Sequence, residues 1–84
     1  MRIDLYLKEA RLIKRRKISR EAVLNELVLI NDSIVKPSYK VKVNDKIKLT
    51  LGLKEITVIV TSLKPHKEKL MYELISEEFK GQRK

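Results

Sequence analysis

The side chains whose type and spacing suggest chemistry are cationic and lie near the start of the chain. Lysine and arginine fill four consecutive positions at residues 14–17, and further cations stand on both sides of that run. A guanidinium group binds phosphate through two parallel hydrogen bonds and stacks on bases, whereas an ammonium group acts as a point charge. An arginine-rich segment of this kind is typical of a site for phosphate groups.

The charge of the chain is concentrated at this end. The 84 residues include 20 Lys and Arg and 11 Asp and Glu, which gives a formal charge of +9. Residues 1–20 hold eight cations and two anions, which is +6 of that total, and they include five of the six arginines. The distribution predicts a nucleic-acid site there; a solvated cationic face is the alternative that charge alone leaves open.

Residues for enzymatic or metal chemistry are scarce. The chain has no cysteine, which excludes disulfides, thiolate metal sites and a cysteine nucleophile. His66 is the single histidine and has no recurring partner around it, and no glycine-rich loop is present. We therefore expect no enzymatic activity, no cofactor and no metal site.

The apolar segments are short. No run approaches the eighteen or so apolar residues of a membrane span, and residues 1–4 open polar, without the apolar stretch of a signal peptide. We expect no membrane contact and a cytoplasmic location.

Hydrophobic periodicity predicts two helices followed by short strands. Residues 3–10 have helical spacing, and a second helix is predicted to begin at Ser19, a good N-cap residue. Alternating or apolar segments then predict strands at residues 28–30, 34–35, 41–43, 47–51, 55–63 and 70–74. This order indicates an α+β fold in which two N-terminal helices pack on a small, mainly antiparallel twisted sheet of about five strands. Residues 1–75 would form one domain, and residues 76–84 a polar C-terminal tail that is frayed or briefly helical.

The chain has three tyrosines, whose rings either belong to the core or stack on bases. Tyr6 and Tyr72 fit the apolar pattern of the core. Tyr39 lies in a polar segment between lysines, where it either stacks on a base or stabilises the turn.

Five segments and Ala22 together resemble the ribosomal-protein-S-four-type RNA-binding domain, also called the alpha-L motif. The segments lie at residues 1–7, 11–16, 28–32, 36–38 and 44–47, and the similarity covers about residues 1–50. The short chain is most similar to stand-alone bacterial members of this family, of the RqcP and heat-shock-protein-fifteen types. The family usually has glycine where this chain has Glu26, Asp32 and Asn44.

The resemblance implies binding of structured RNA by the two helices and the adjoining loop. It implies contact with large-subunit ribosomal RNA and peptidyl-tRNA on obstructed subunits, in support of quality control and C-terminal tailing of stalled nascent chains. RqcH is a further implied partner, and we expect a monomer. The implied RNA-binding residues are Arg2, Arg11, Lys14, Arg15, Arg16, Lys17 and Arg20. Asp4 would either orient Arg2 or Arg16, or cap the first helix.

Three other functions remain open besides this one. An accessory fragment related to the RNA-binding domain of pseudouridine synthases or tyrosyl-tRNA synthetases would need a catalytic partner chain. A heat-shock-protein-fifteen-like factor would rescue the obstructed subunit without tailing. A protein–protein adaptor would bind a partner along a sheet edge, which the sequence places at residues 46–51.

Overall fold

Two short helices open the chain, and the strands that follow them form one sheet. The structure is a computed structural model and describes residues 1–79. The helices are α1 (Ile3–Glu9) and α2 (Arg16–Leu24). The strands are β1 (Val28–Ile30), β2 (Ser33–Ile34), β3 (Lys46–Leu51), β4 (Lys54–Val60) and β5 (Tyr72–Phe79). The expected α+β arrangement of two helices and a five-stranded sheet is confirmed.

The predicted start of the second helix is wrong by one turn. The helix begins at Arg16 after an extended Arg15, and the amide of Ser19 donates to the carbonyl of Arg15. Ser19 is fully buried on the inner face beside Ala22 and Val23. Its hydroxyl faces the interior instead of the helix end, so it caps nothing.

All strand pairs are antiparallel, in the order β2-β1-β3-β4-β5. The strand predicted at residues 41–43 is absent. Val41 is buried in the core, but its amide donates to the carbonyl of Met1, and the neighbouring Lys40 forms only an isolated bridge with Arg2. The alternation of valine and lysine there reflects the burial of Val41 next to the N-terminus.

The free edges of the described sheet are β2 and β5. The predicted binding edge, β3, pairs with β1 on one side and β4 on the other, so it cannot add a partner strand. The last strand β5 continues to Phe79, because residues 76–79 pair with β4. These four residues of the expected tail are therefore strand, and residues 80–84 lie outside the described part of the chain.

The core lies between the helices and one face of the sheet. Ile3, Tyr6 and Leu7 of α1 pack with apolar side chains of α2 and of β1, β3 and β4. The hydroxyl of Tyr6 donates to the carbonyl of Met71 at 2.6 Å, which ties α1 to the start of β5. Burial raises the pKa of Tyr6, and Tyr72 adds to that increase. The expectation that Tyr6 is a core residue is confirmed.

Both helices end in the same type of turn, in which a non-glycine residue has a left-handed backbone conformation. Arg11 follows α1 with φ 65°, and Glu26 follows α2 with φ 62°. After α2, the amides of Glu26 and Leu27 donate to the carbonyls of Val23 and Ala22, which is the Schellman pattern. After α1, the amides of Arg11 and Leu12 donate to the carbonyls of Lys8 and Leu7 in the same pattern. Asp32 and Asn44, the other two positions where the family has glycine, also have positive φ values of 69° and 80°.

Candidate nucleic-acid interface

A buried carboxylate joins the beginnings of the two helices. Asp4 lies in the first turn of α1 and is 1% exposed. Its Oδ2 accepts a hydrogen bond of 3.1 Å from Arg2, and its Oδ1 lies 3.6 Å from the Nη2 of Arg16. Because the side chains of Arg2 and Arg16 remain 43% and 49% exposed, both guanidinium groups keep donors directed to solvent. One anion thus holds two arginines together at the surface.

Backbone carbonyls of a distant loop bind the first amides of α1. The amide of Ile3 donates to the carbonyl of Tyr39 at 2.7 Å, and that of Asp4 to the carbonyl of Pro37 at 3.4 Å. Within the described residues, the Asp4 carboxylate makes no capping hydrogen bond. Of the two roles left open by the sequence, the geometry therefore agrees with orientation of Arg2 and Arg16.

The N-terminus of α2 is flanked by cations. Arg15 precedes the first helical residue, and Arg16 and Lys17 occupy the first turn, which has no acidic residue. Cations are unfavourable at this end because the helix dipole already places partial positive charge there. The same arrangement concentrates positive potential and unpaired amides, which favours binding of a phosphate. Glu21, the acidic residue of α2, is the sixth residue of the helix and lies beyond the first turn.

The other predicted cations lie in or next to α2 and along the connection between the helices. All seven candidate residues are exposed, and within residues 1–79 only Arg2 and Arg16 among them form an ion pair. Arg20 follows Arg16 by four positions and so lies on the same face of α2. Arg11 and Lys14 lie further away along the connection between the helices, where they line a cleft.

Tyr39 is held by a second buried carboxylate. Its hydroxyl donates to Asp45 at 2.8 Å, and its ring packs partly against the core. Asp45 also accepts from the amide of Lys42 at 2.9 Å and from the side chain of Asn31 at 3.1 Å. This is the turn-stabilising arrangement; base stacking by Tyr39 stays a prediction.

These contacts shift the pKa of both groups. Burial acts to raise the pKa of Asp45, but the hydrogen bonds from Lys42, Tyr39 and Asn31 outweigh it and lower the pKa below its usual value. The hydrogen bond to Asp45, with smaller contributions from burial and from the charge of Asp45, raises the pKa of Tyr39. The network requires an ionised Asp45 and a protonated Tyr39.

The cleft is a feature that the sequence did not reveal. It has a volume of about 800 Å³ and lies between residues 8–14 and residues 65–71. Lys8, Lys67 and Lys69 join Arg11 and Lys14 in its walls. The one indication of this cleft in the sequence was the lysine-rich composition of residues 64–69. The sequence does not show that this segment lies next to the end of α1, because only the fold brings the two together.

Among residues 1–79 there is no cluster of three or more acidic or histidine side chains that could hold a metal ion. No helix in the same range is long and apolar enough to cross a membrane.

Residues 1–47 match the S4 domain family. The chain is 38% identical over 81 residues to the RQC P-site tRNA stabilizing factor of Streptococcus pneumoniae, covering 92% of each protein. It is 37% identical over 86 residues to the factor of that name from Bacillus subtilis, covering 98% of this chain and all of the relative. Among solved structures, trimeric Heat Shock Protein 15 of Vibrio cholerae superposes with a TM-score of 0.82 at 27% identity, over 90% of this chain and 82% of the other. The family resemblance drawn from residues 1–50 is confirmed.

Proposed function

Since the chain belongs to the S4 domain family and, within it, to the family of the RQC P-site tRNA stabilizing factors, we propose that it binds the obstructed large ribosomal subunit. It would contact ribosomal RNA together with the peptidyl-tRNA retained on that subunit. In doing so it would support ribosome quality control and C-terminal tailing of the stalled nascent chain. The protein would act as a non-enzymatic binding factor, in the cytoplasm where these subunits are found.

The observation that carries this proposal is the pairing of Arg2 and Arg16 by the buried Asp4. Fixing two guanidinium groups before binding reduces the entropy that RNA contact would otherwise cost. Their planar donor groups suit phosphate oxygens, and the N-terminus of α2 adds partial positive charge beside Arg16. The arrangement therefore supports recognition of an RNA backbone in a defined geometry.

The surrounding cations would extend this contact along the RNA. Three exposed cations lie beside Arg16 in the sequence, namely Lys14, Arg15 and Lys17. Arg11 and Arg20 are secondary candidates for contact with the RNA. The bases of an RNA helix are hidden in a deep, narrow major groove, so a small domain of this kind reads shape and phosphate positions. Binding of this type weakens steeply with salt.

The proposed partners are large-subunit ribosomal RNA, tRNA and RqcH, and the protein would bind as a monomer. The exposed edge strand β5 carries Glu73 and Glu78, besides Glu77, which pairs with Lys54 at 2.8 Å. Antiparallel pairing of two such strands would bring like charges close together, which opposes self-association. Sedimentation at micromolar concentration should give the mass of one chain; a stable trimer would contradict the monomer.

Identification of bound RNA tests the proposal. Tagged protein is recovered from lysate at moderate salt beside an Arg15→Ala, Arg16→Ala variant. A Lys46→Gln, Lys48→Gln variant removes the same charge from the sheet face opposite the core. We expect large-subunit RNA and tRNA with wild type and with the control, and loss of both with the arginine variant. Ribosomal RNA without tRNA would indicate a general large-subunit factor, and no RNA at all would favour a protein adaptor.

The similarity to Heat Shock Protein 15 supports a second candidate, rescue of the obstructed subunit without tailing. The two functions differ in the fate of the nascent chain. Deleting the gene removes alanine tails from stalled chains if the proposed function is correct. Tails that persist in the deletion strain would favour the second candidate.

A further inference from the structure

A cleft of about 800 Å³ separates the end of α1 from the segment that precedes β5. Its floor is formed by Ala10, Ile13 and Met71, each at most 6% exposed. Because these side chains are already buried, the floor offers a ligand little apolar area. The accessible lining combines the exposed apolar side chains of Pro65 and Leu70 with several charged side chains.

The walls of the cleft are cationic on both sides. Lys8, Arg11 and Lys14 project from one wall, and Lys67 and Lys69 from the other. Two carboxylates are also present; Glu9 pairs with Lys8 at 3.1 Å, and Glu68 lies between the two lysines of the second wall. The lining therefore has a formal charge of +3. Within residues 1–79, neither Lys67 nor Lys69 has a carboxylate partner.

The second wall is anchored to the first. The carbonyl of Met71 accepts hydrogen bonds from the Tyr6 hydroxyl at 2.6 Å and from the amides of Thr61 and Ser62 at 3.0 and 3.2 Å. These bonds close the base of the loop formed by residues 61–71 and attach it to α1. The spacing of the two walls is thus set by the fold, before any ligand binds.

We propose that this cleft binds a second segment of RNA sugar-phosphate backbone, next to the one contacted by Arg2 and Arg16. This inference rests on the proposed function. Arg11 and Lys14 line the cleft and also belong to the predicted RNA-binding set, so the two surfaces are continuous. A backbone with one negative charge per nucleotide, lying between two cationic walls, would be neutralised from both sides. The contribution of Lys67 and Lys69 distinguishes this site from the helical surface.

Charge and shape favour RNA over an acidic peptide as the occupant. Tightly bound peptides usually insert apolar or aromatic anchors into desolvated pockets, and the floor of this cleft is already filled by its own side chains. Phosphate groups require only the cations that the walls supply.

The test is a Lys67→Gln, Lys69→Gln variant, with the Lys46→Gln, Lys48→Gln variant as the control of equal charge. Binding is measured against salt concentration with three probes, which are large ribosomal subunits with P-site tRNA, the same subunits without it, and free tRNA. Loss of two phosphate contacts should reduce the magnitude of the slope of log K against log salt by roughly 1.4–1.8 relative to the control. The dissociation constant should rise about threefold to tenfold at physiological salt.

The probes separate the sources of the RNA. A defect seen only when tRNA is present assigns the cleft to tRNA, and an equal defect on both kinds of subunit assigns it to ribosomal RNA. If the variant matches the control on all three probes, the inference is wrong even though the helical surface binds RNA. If wild type binds no subunits, the proposed function fails, and the free tRNA still decides the role of the cleft. Binding of a polyglutamate peptide that the variant loses, with RNA binding unchanged, would overturn the assignment to RNA.

Discussion

The carboxylate of Asp4 lies 3.6 Å from the guanidinium of Arg16, which begins the next helix, while Asp4 itself is almost completely buried. The Oδ1 atom that faces Arg16 has no hydrogen-bond partner in the described residues. The distance thus allows an electrostatic attraction without a closed hydrogen bond, and Arg16 stays available to a ligand. Arg2 donates to the other oxygen at 3.1 Å.

Removing the charge of Asp4 should separate its orienting effect on Arg2 and Arg16 from its effect on the net charge of the surface. In Asp4→Asn the shape is retained, but the two guanidinium groups lose the anion that holds them together. We expect weaker binding to large ribosomal subunits, because both arginines must then be ordered on binding. Binding to unstructured polyuridine should be equal or tighter, because the surface gains one positive charge. Both constants can be measured by filter binding at fixed salt.

The comparison is informative because Asp4→Asn should weaken binding to subunits without weakening binding to polyuridine. A loss of the same size on both probes would mean that the substitution damages the fold, and thermal unfolding would show that damage. A variant that binds subunits as well as wild type would show that Asp4 has no orienting role.

Arg16 should contribute through its geometry as well as its charge. Arg16→Ala is expected to weaken subunit binding about threefold to tenfold and to lower the magnitude of the salt slope by about one, since one phosphate contact is lost. Arg16→Lys should keep the slope but regain only part of the affinity, because ammonium lacks the planar pair of donors. The thermal midpoint should change little, since this side chain is half exposed. Unchanged co-sedimentation of Arg16→Ala with subunits would contradict the proposed site.

Local pattern was sufficient to predict most of the fold. The spacing of Ile3, Tyr6 and Leu7 predicted the first helix, and the alternation around Ile47 and Leu49 predicted β3, because one face of each element is buried. The start of α2 was not predictable in this way. Ser19 has the side chain of an N-cap, but helix packing buries it in the interior.

The site was predictable by residue type but not by geometry. The clustering of arginine pointed to the region that contains Arg16, whereas the dual contact of Asp4 depends on how α2 packs on α1. The cleft lay beyond sequence reasoning because its walls are about fifty residues apart along the chain. The fold brings them together, through contacts that include the hydrogen bonds from Tyr6, Thr61 and Ser62 to the carbonyl of Met71.

Two strained positions provide a matched pair of substitutions. Arg11 and Glu26 occupy the same place in two Schellman turns, with φ values of 65° and 62°. A non-glycine residue costs roughly 1–2 kcal/mol in this region, and the greater freedom of unfolded glycine offsets about half of that gain. Arg11→Gly and Glu26→Gly should each stabilise the fold by about 0.5–1 kcal/mol, measured by urea unfolding.

The two substitutions should differ in RNA binding. Arg11 lies between the helical surface and the cleft, so Arg11→Gly should weaken subunit binding although the protein becomes more stable. Glu26→Gly should bind at least as well as wild type, because it removes a negative charge. The comparison tests whether strain at Arg11 is retained for function. Equal binding by both variants would remove Arg11 from the interface.

The network of Tyr39 and Asp45 predicts how stability depends on pH. The pKa of Asp45 is lowered in the folded protein, so its contribution is present at neutral pH and is lost as the pH falls through the folded pKa. Asp45→Asn should therefore be less stable than wild type at pH 7, and the difference in the free energy of unfolding should shrink as the solution is acidified.

The pKa of Tyr39 is raised, so its contribution to stability is present at neutral pH and is lost as the pH rises through the folded pKa. The difference between wild type and Tyr39→Phe should shrink in alkaline solution, and a difference independent of pH would contradict the network.

Two substitutions at Tyr39 distinguish its role in the turn from base stacking. Tyr39→Phe removes the hydrogen bond to Asp45 but keeps an aromatic ring, so it should cost about 1 kcal/mol of stability and leave RNA binding unchanged. Tyr39→Leu removes both features. If the residue only supports the loop whose carbonyls cap α1, the leucine variant should bind RNA as the phenylalanine variant does, at a temperature where both are folded. A further loss of affinity confined to Tyr39→Leu, on the order of tenfold or more, would instead show that the ring stacks on a base, since one stacked base contributes about 1–3 kcal/mol.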